Sequence, residues 1–232
     1  MKDAALITRR GPSLRWDDGE KAMLRLYYSP GACSLVPHVA LEETGAEFDA
    51  VRKTIAEKAH KRPDYLAINP RGLIPAMIVD GRLVTENIAV LAYIGHRWPE
   101  SGQLPLDHVP ALVQVFERLS WFATTVHYGG FGPIYRARAA GIERSQAELA
   151  EDRERLRALF AEIDPLLAPG PWLLGDRYCL ADPYPLTFRR WARRLELDVS
   201  PYRHWTAHTA RMLERPAVRR ALAREGLDPD EF

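Results

Sequence analysis

The sequence predicts a small α/β domain followed by an all-helical bundle, on three observations. Between residues 24 and 97 the apolar pattern switches between a period of two and a period near 3.6, the signature of strands alternating with helices. Pro99, Pro105 and Pro110, with Gly102 among them, then mark a linker over 99–110. Beyond the linker every long segment places apolar residues three and four apart, with Pro and Gly breaks such as Pro169-Gly170-Pro171 between segments.

The elements follow in order. Residues 1–22 (MKDAALITRRGPSLRWDDGEKA) scatter turn formers among two short apolar clusters and read as a poorly ordered tail. They lack the apolar stretch of roughly 7–15 residues that a secretory signal needs, so a cytoplasmic location is expected. Met23 precedes a strand-like run and is a candidate initiator. The first domain, 23–98, opens with strand Leu24–Tyr28, which puts Leu24, Leu26 and Tyr28 on one face. A helix over 34–44 carries Leu35, Val36, Val39, Ala40 and Leu41 inward and is stopped by Gly45. A second strand is predicted over 46–55. Strands over 74–79 and 82–85 flank Asp80-Gly81, a strong hairpin signal, and 86–97 returns to helical spacing. Helices over 111–138, 145–168, 182–195, 202–214 and 216–225 make up the second domain, 111–232 with its connections.

Composition narrows the function. The 232 residues hold 32 Lys+Arg against 31 Asp+Glu, a formal net charge of +1, with 47% hydrophobic residues. A near-neutral chain lacks the electrostatic footprint of a nucleic-acid binder, and no apolar run approaches the roughly 18 residues of a membrane span. Neither nucleic acid nor membrane is an expected partner. Only Cys33 and Cys179 occur, which excludes a disulfide-rich scaffold.

Cys33 lies between a strand and a helix, where free backbone N–H groups and the positive helix end favour an anionic sulfur. No CxxC accompanies it, so an internal two-cysteine redox cycle is impossible there. Five segments, taken together, carry a resemblance: Tyr28-Ser-Pro-Gly-Ala-Cys33-Ser34-Leu35, Asn69-Pro-Arg-Gly-Leu-Ile74-Pro75-Ala76, Thr85-Glu86-Asn87, Trp121-Phe-Ala-Thr124-Thr-Val-His127, and Gly175-Asp-Arg-Tyr-Cys179-Leu-Ala-Asp182. In this order they resemble the cytosolic glutathione transferases, particularly the bacterial beta class, over roughly residues 24–226.

The resemblance implies an α/β thioredoxin-like N-terminal domain joined to an all-α bundle, the glutathione transferase architecture. It further implies glutathione as co-substrate, a small electrophilic partner substrate and a homodimer. Cys33, His127 and, in reserve, Ser34 are the implied catalytic residues; Ala32 holds the position used by the serine-type classes. Ile74-Pro75 resembles the cis-proline corner whose backbone pairs with the cysteinyl unit. Glu86 and Asn87 fall where the γ-glutamyl group is met, with Asn in place of the usual Ser. Lys58 falls where a Lys turns toward the glycine carboxylate, and Thr124 lies with His127 in the helix above the site. The usual Lys after the His is Tyr128 here, followed by Gly129-Gly130, which are expected to bend or loosen the helix.

Three further patterns have structural readings. Cys179-Leu-Ala-Asp182 places Cys where the family's capping box carries a hydroxyl, weakening half of that box. His204 and His208 are spaced i,i+4, but no third ligand has a clear place and no metal is expected. Arg189, Arg190, Arg193 and Arg194 are expected to form a solvated or salt-bridged face. On these residues the expected activity is conjugation of glutathione to small hydrophobic electrophiles, with thiol–disulfide exchange at Cys33 as a variant. A non-catalytic binding module, and a glutathione-dependent lyase, isomerase or dehalogenase, share the same residues.

Overall fold

The computed structural model describes residues 23–232, so the expectations for residues 1–22 lie outside the described residues. Four strands, β1 (Leu24–Tyr28), β2 (Asp49–Arg52), β3 (Ala76–Val79) and β4 (Arg82–Thr85), form one sheet in the order β2-β1-β3-β4, with β1 parallel to β2 and the other pairs antiparallel. Period-two alternation sorts the side chains. Leu24 and Leu26 of β1 share a face with Met77 and Val79 of β3, under α1 (Leu35–Thr44) and α3 (Asn87–Arg97). Tyr27, Ala76 and Ile78 turn to the other face and pack on Tyr65 and Ile68, next to the single turn α2 (Pro63–Leu66).

Two strands are shorter than the sequence suggests. β2 stops at Arg52 because the Ile55 N–H is taken by Ser29 Oγ (3.1 Å) and the Thr54 carbonyl by Ala59 (3.0 Å), which folds the chain into a turn. β3 starts only after Pro75, which has no N–H to give the ladder. The Asp80-Gly81 turn is present, with both residues at positive φ (49° and 79°).

The second half is helical: α4 (Val109–Trp121), a π-helical segment Phe122–Phe131, α5 (Gly132–Ala140), α6 (Gln146–Leu166), α7 (Pro183–Arg194), α8 (Arg203–Glu214) and α9 (Pro216–Glu225). Ser145 opens α6 with a capping box, its hydroxyl accepting from the Glu148 N–H and Glu148 accepting from the Ser145 N–H. Gly129-Gly130 do not break the helix between α4 and α5; they lie where it widens to π winding. Gly130 lets α6 pack closely there, since a Cβ would sit 2.7 Å from Leu159 Cδ1 and push that side chain aside.

The two halves share one core. A single cluster of buried residues runs from Leu24 and Met77 through Val90 to Phe122, Phe160, Phe188 and Trp205. The 99–110 connection is a packed seam: Gln103 Nε2 donates to the Ala40 carbonyl and Gln103 O accepts from Leu180, both at 3.0 Å. α1 is buried between the sheet and α9, with Leu35 and Val39 against Val218 and Leu222. Arg220 and Arg224 both reach Glu42 (2.7 and 3.0 Å), and Arg215 reaches Glu43 (2.6 Å). No helix among the described residues is long and apolar enough to cross a membrane.

Candidate functional site

The loop from Ser29 to Ser34 carries Cys33 from β1 into α1 and is fixed from inside and outside. Inside, Ser34 Oγ accepts from the Ser29 N–H (3.1 Å) and donates to the Ser29 carbonyl (3.2 Å). Ser34 is fully buried and its hydroxyl is spent on this closure, which removes it as the reserve donor to a thiol. Outside, the Gly31 N–H donates to Glu225 Oε2 (2.7 Å) at the end of α9, and Trp191 Nε1 of α7 donates to the Gly31 carbonyl (2.7 Å). Glu225 Oε1 meets His38 Nδ1 at 2.8 Å, both side chains fully buried. Gly31 sits at φ +64°, with the Arg190 guanidinium where a Cβ would be.

Cys33 itself is 8% exposed, and its thiol donates to the Ile74 carbonyl at 3.6 Å. Burial pushes this thiol up to about 12, and the Glu225 carboxylate adds to the rise; the backbone N–H groups of Cys33 and Ser34 pull the other way and lose. The expected anionic sulfur is therefore corrected. The helix start is present, but desolvation outweighs it, and at neutral pH Cys33 is a thiol.

The Ile74-Pro75 bond is cis, as the resemblance implies. Its corner is held from the Leu73 carbonyl, which accepts from Tyr65 Oη (2.7 Å) and Asn69 Nδ2 (3.0 Å). At the next corner Glu86 caps α3 at φ +69°, a left-handed conformation that a non-glycine residue holds only when its surroundings impose it. Its exposed carboxylate pairs with Arg71 at 2.8 Å. Asn87 differs from expectation. Its Nδ2 points inward, donating to the Cys33 carbonyl (3.1 Å) and to Tyr184 Oη (2.7 Å), while its Oδ1 is buried without a partner. The amide thus braces the Cys33 loop against α7, and only the first-turn backbone of α3 remains to meet a ligand anion. Lys58 stays exposed at φ +51°, opening the 3-10 turn Ala59–Lys61.

From the helical half, the π winding brings His127 against Trp191, with ring centroids 4.9 Å apart. Burial, helped by the nearby Arg136 charge, lowers His127 to about 4, so the imidazole is neutral at pH 7. Thr124 is exposed and its hydroxyl returns to the Ser120 carbonyl (2.8 Å). The structure thus gathers Cys33, Ile74, Pro75 and Asn87 around one loop and joins His127 to that loop through Trp191. Among the described residues, the side-chain hydrogen bonds and ion pairs do not tie Lys58 or Thr124 to it.

Asp182 gives the residues around Cys179 their structural role. Its carboxylate is fully buried and accepts from Cys179 N (2.7 Å), Leu173 N (2.9 Å) and His208 Nε2 (2.9 Å). His208 is thereby committed to a protein partner rather than to His204. The arginines of α7 take the salt-bridged form of the expected face. Arg190 is buried and bonds Glu231 (2.6 Å), Arg193 donates to the Asp230 and Phe232 carbonyls, and Arg194 reaches Glu231 (3.6 Å). The C-terminal turn is thus strapped onto α7.

His38, Glu225, Trp191, Tyr184 and Arg136 escape the sequence reading. Only His38, five residues after Cys33 and on the helix that follows it, carries a local signal; the others are brought in by tertiary packing.

A thioredoxin-like domain with a cis-proline corner, packed on an all-helical domain, is the glutathione transferase architecture. Comparison with known proteins agrees along the chain: residues 22–96 match the glutathione S-transferase N-terminal domain and residues 122–216 the C-terminal domain. Glutathione S-transferase GstA of Escherichia coli O157:H7 is 33% identical over 206 residues, covering 88% of this chain and all of that protein. Among solved structures, a sphingomonad glutathione S-transferase complexed with glutathione superposes with TM-score 0.78 at 33% identity, and the beta-class enzyme of Sphingomonas chungbukensis with TM-score 0.78 at 32%. Each covers 88% of this chain and 100% of its own. The chain belongs to the glutathione S-transferase family.

Proposed function

We propose that the protein binds glutathione in its first domain, stabilises the thiolate and conjugates it to small hydrophobic electrophiles. The observation that carries this reading is the meeting of the cis Ile74-Pro75 corner, the Cys33 thiol on the Ile74 carbonyl and the opening of α3 at Glu86-Asn87. In this reading the Ile74 backbone pairs with the cysteinyl unit. Glu86 exchanges Arg71 for the ligand ammonium, the α3 N-terminus meets the γ-glutamyl carboxylate, and Lys58 reaches the glycine carboxylate.

The protonation states support a division of roles. With His127 lowered to about 4, it is a poor base for a thiol near 8.5, a mismatch of roughly 4.5 units or about 6 kcal/mol. The glutathione proton therefore leaves to solvent, and His127 acts as an N–H donor to the resulting thiolate, with the Cys33 S–H as a second neutral donor once it turns from the Ile74 carbonyl. The thiolate then attacks the electrophile, forming the C–S bond as the leaving group departs with its electron pair. Thiol–disulfide exchange through Cys33 is the weaker part of the reading, since it needs the anion that burial suppresses.

The chain is further read as a cytoplasmic homodimer, supported by Val109 and Val113, which stand exposed one turn apart on α4; light scattering at the mass of one 26.3 kDa chain would contradict it. The activity is tested by incubating the protein with glutathione and an activated aryl halide. Thioether formation above the uncatalysed rate is expected. Retention on immobilised glutathione without turnover would leave a binding module, and loss of both would overturn the reading.

A further inference from the structure

Several arginines of the chain are already paired with carboxylates: Arg71 with Glu86, Arg155 and Arg144 with Asp152, and Arg190 with Glu231. Arg136 is placed differently. Among the described residues it has no carboxylate partner, yet it is held in place. Its guanidinium lies 4.3 Å over the exposed Tyr128 ring, donates to the Tyr128 carbonyl (3.2 Å), and runs so close to Gly132 that a Cβ there would be 2.4 Å from its Nη1. A guanidinium carries five N–H donors in a flat fork suited to a two-oxygen acceptor, and one bond to Tyr128 leaves that fork largely unspent.

Its place gives the fork a purpose. Tyr128 follows His127, whose ring rests on Trp191, and Trp191 Nε1 holds the Gly31 carbonyl two residues before Cys33. The exposed cation therefore lies near the run of contacts that reaches the Cys33 loop, close enough for its charge to act on His127. It stands in the helical half, the side from which the second substrate would approach the sulfur.

We infer that Arg136, with Tyr128 beneath it and His127 beside it, is the recognition point for a carboxylate on the electrophile, so that the preferred second substrates are anionic aromatic or unsaturated acids. The inference rests on the glutathione transfer proposed above and names its substrate class. Gly132 makes it possible, because a side chain there would displace the guanidinium. Tyr128 holds the fork flat without neutralising it.

The test compares a chlorodinitrobenzoate with the matching neutral chlorodinitrobenzamide; in both, the glutathione sulfur replaces chloride, which leaves with its bonding pair. Wild type should favour the benzoate in kcat/KM, Arg136→Gln should cut that preference roughly tenfold to a hundredfold, and Arg136→Lys should restore part of it. Equal rates for the two substrates in wild type, or an equal fall of both in Arg136→Gln, would overturn the inference. Calorimetric titration with the finished glutathione conjugates of the same two acceptors reads the preference as a Kd ratio and needs no turnover. Failure of catalysis and failure of the Arg136 role are therefore separate results.

Discussion

Cys33 is expected to react with iodoacetamide at pH 7 about thirtyfold to sixtyfold more slowly than an unhindered thiol, with a rate that keeps climbing tenfold per pH unit beyond pH 10. The arithmetic follows from burial. Raising the thiol from 9.0 to about 12 cuts the thiolate fraction at neutral pH about a thousandfold. A more basic thiolate is intrinsically more nucleophilic, with a Brønsted slope of about 0.4–0.5, which returns somewhat more than one decade. The sign is fixed: a raised thiol loses reactivity at every pH below its own midpoint. Alkylation followed by peptide mass spectrometry from pH 6 to 11, with Cys33→Ala as the blank, measures this. A midpoint at or below 9 would mean that the helix end, not desolvation, governs this sulfur, and would return Cys33 to the role of resting nucleophile.

Asp182→Ala should destabilise the protein by about 3–5 kcal/mol, since it leaves several buried donors unpaired at once, each costing about 1–3 kcal/mol. The carboxylate has no exposure and serves two backbone N–H groups and His208, so its loss orphans three donors at once. At roughly 2–4 °C per kcal/mol for a chain of this size, thermal unfolding should shift down by about 6–20 °C. A shift under about 2 °C would show that the loop before α7 is held by other means. The same residue explains how Cys179 is tolerated at the cap: Asp182 Oδ2 still takes the Cys179 N–H, and the missing hydroxyl removes only the weaker half of the arrangement.

Particular residues show what the sequence made legible. Strand alternation, the Asp80-Gly81 turn, the α1 core positions and the Ile74-Pro75 corner are local or motif-borne, and each is present in the structure. Burial is not local. Cys33 stands at a helix start, as its sequence position says, yet the packing that sets its protonation comes from α7 and α9. The His38–Glu225 contact spans 187 residues and Trp191–Gly31 spans 160, beyond the reach of any spacing rule. Asn87 reads as a cap and a ligand contact because its sequence neighbours say so; the Cys33 carbonyl and Tyr184 hydroxyl that capture its amide come from other elements. The arginines of α7 read as a solvated or salt-bridged face, and the salt bridges are present; their partner Glu231 lies 41 residues from Arg190, beyond what spacing can name.

The account centres on glutathione held at the Cys33 loop with its sulfur ionised by neutral donors. The most direct measurement is the pH titration of the bound glutathione thiol, followed as thiolate ultraviolet absorbance of the saturated complex against protein alone. The account predicts saturable binding and a midpoint about one unit or more below that of free glutathione, corresponding to at least about 1.4 kcal/mol of preference for the anion. A midpoint equal to that of free glutathione, or no saturable binding, would contradict it.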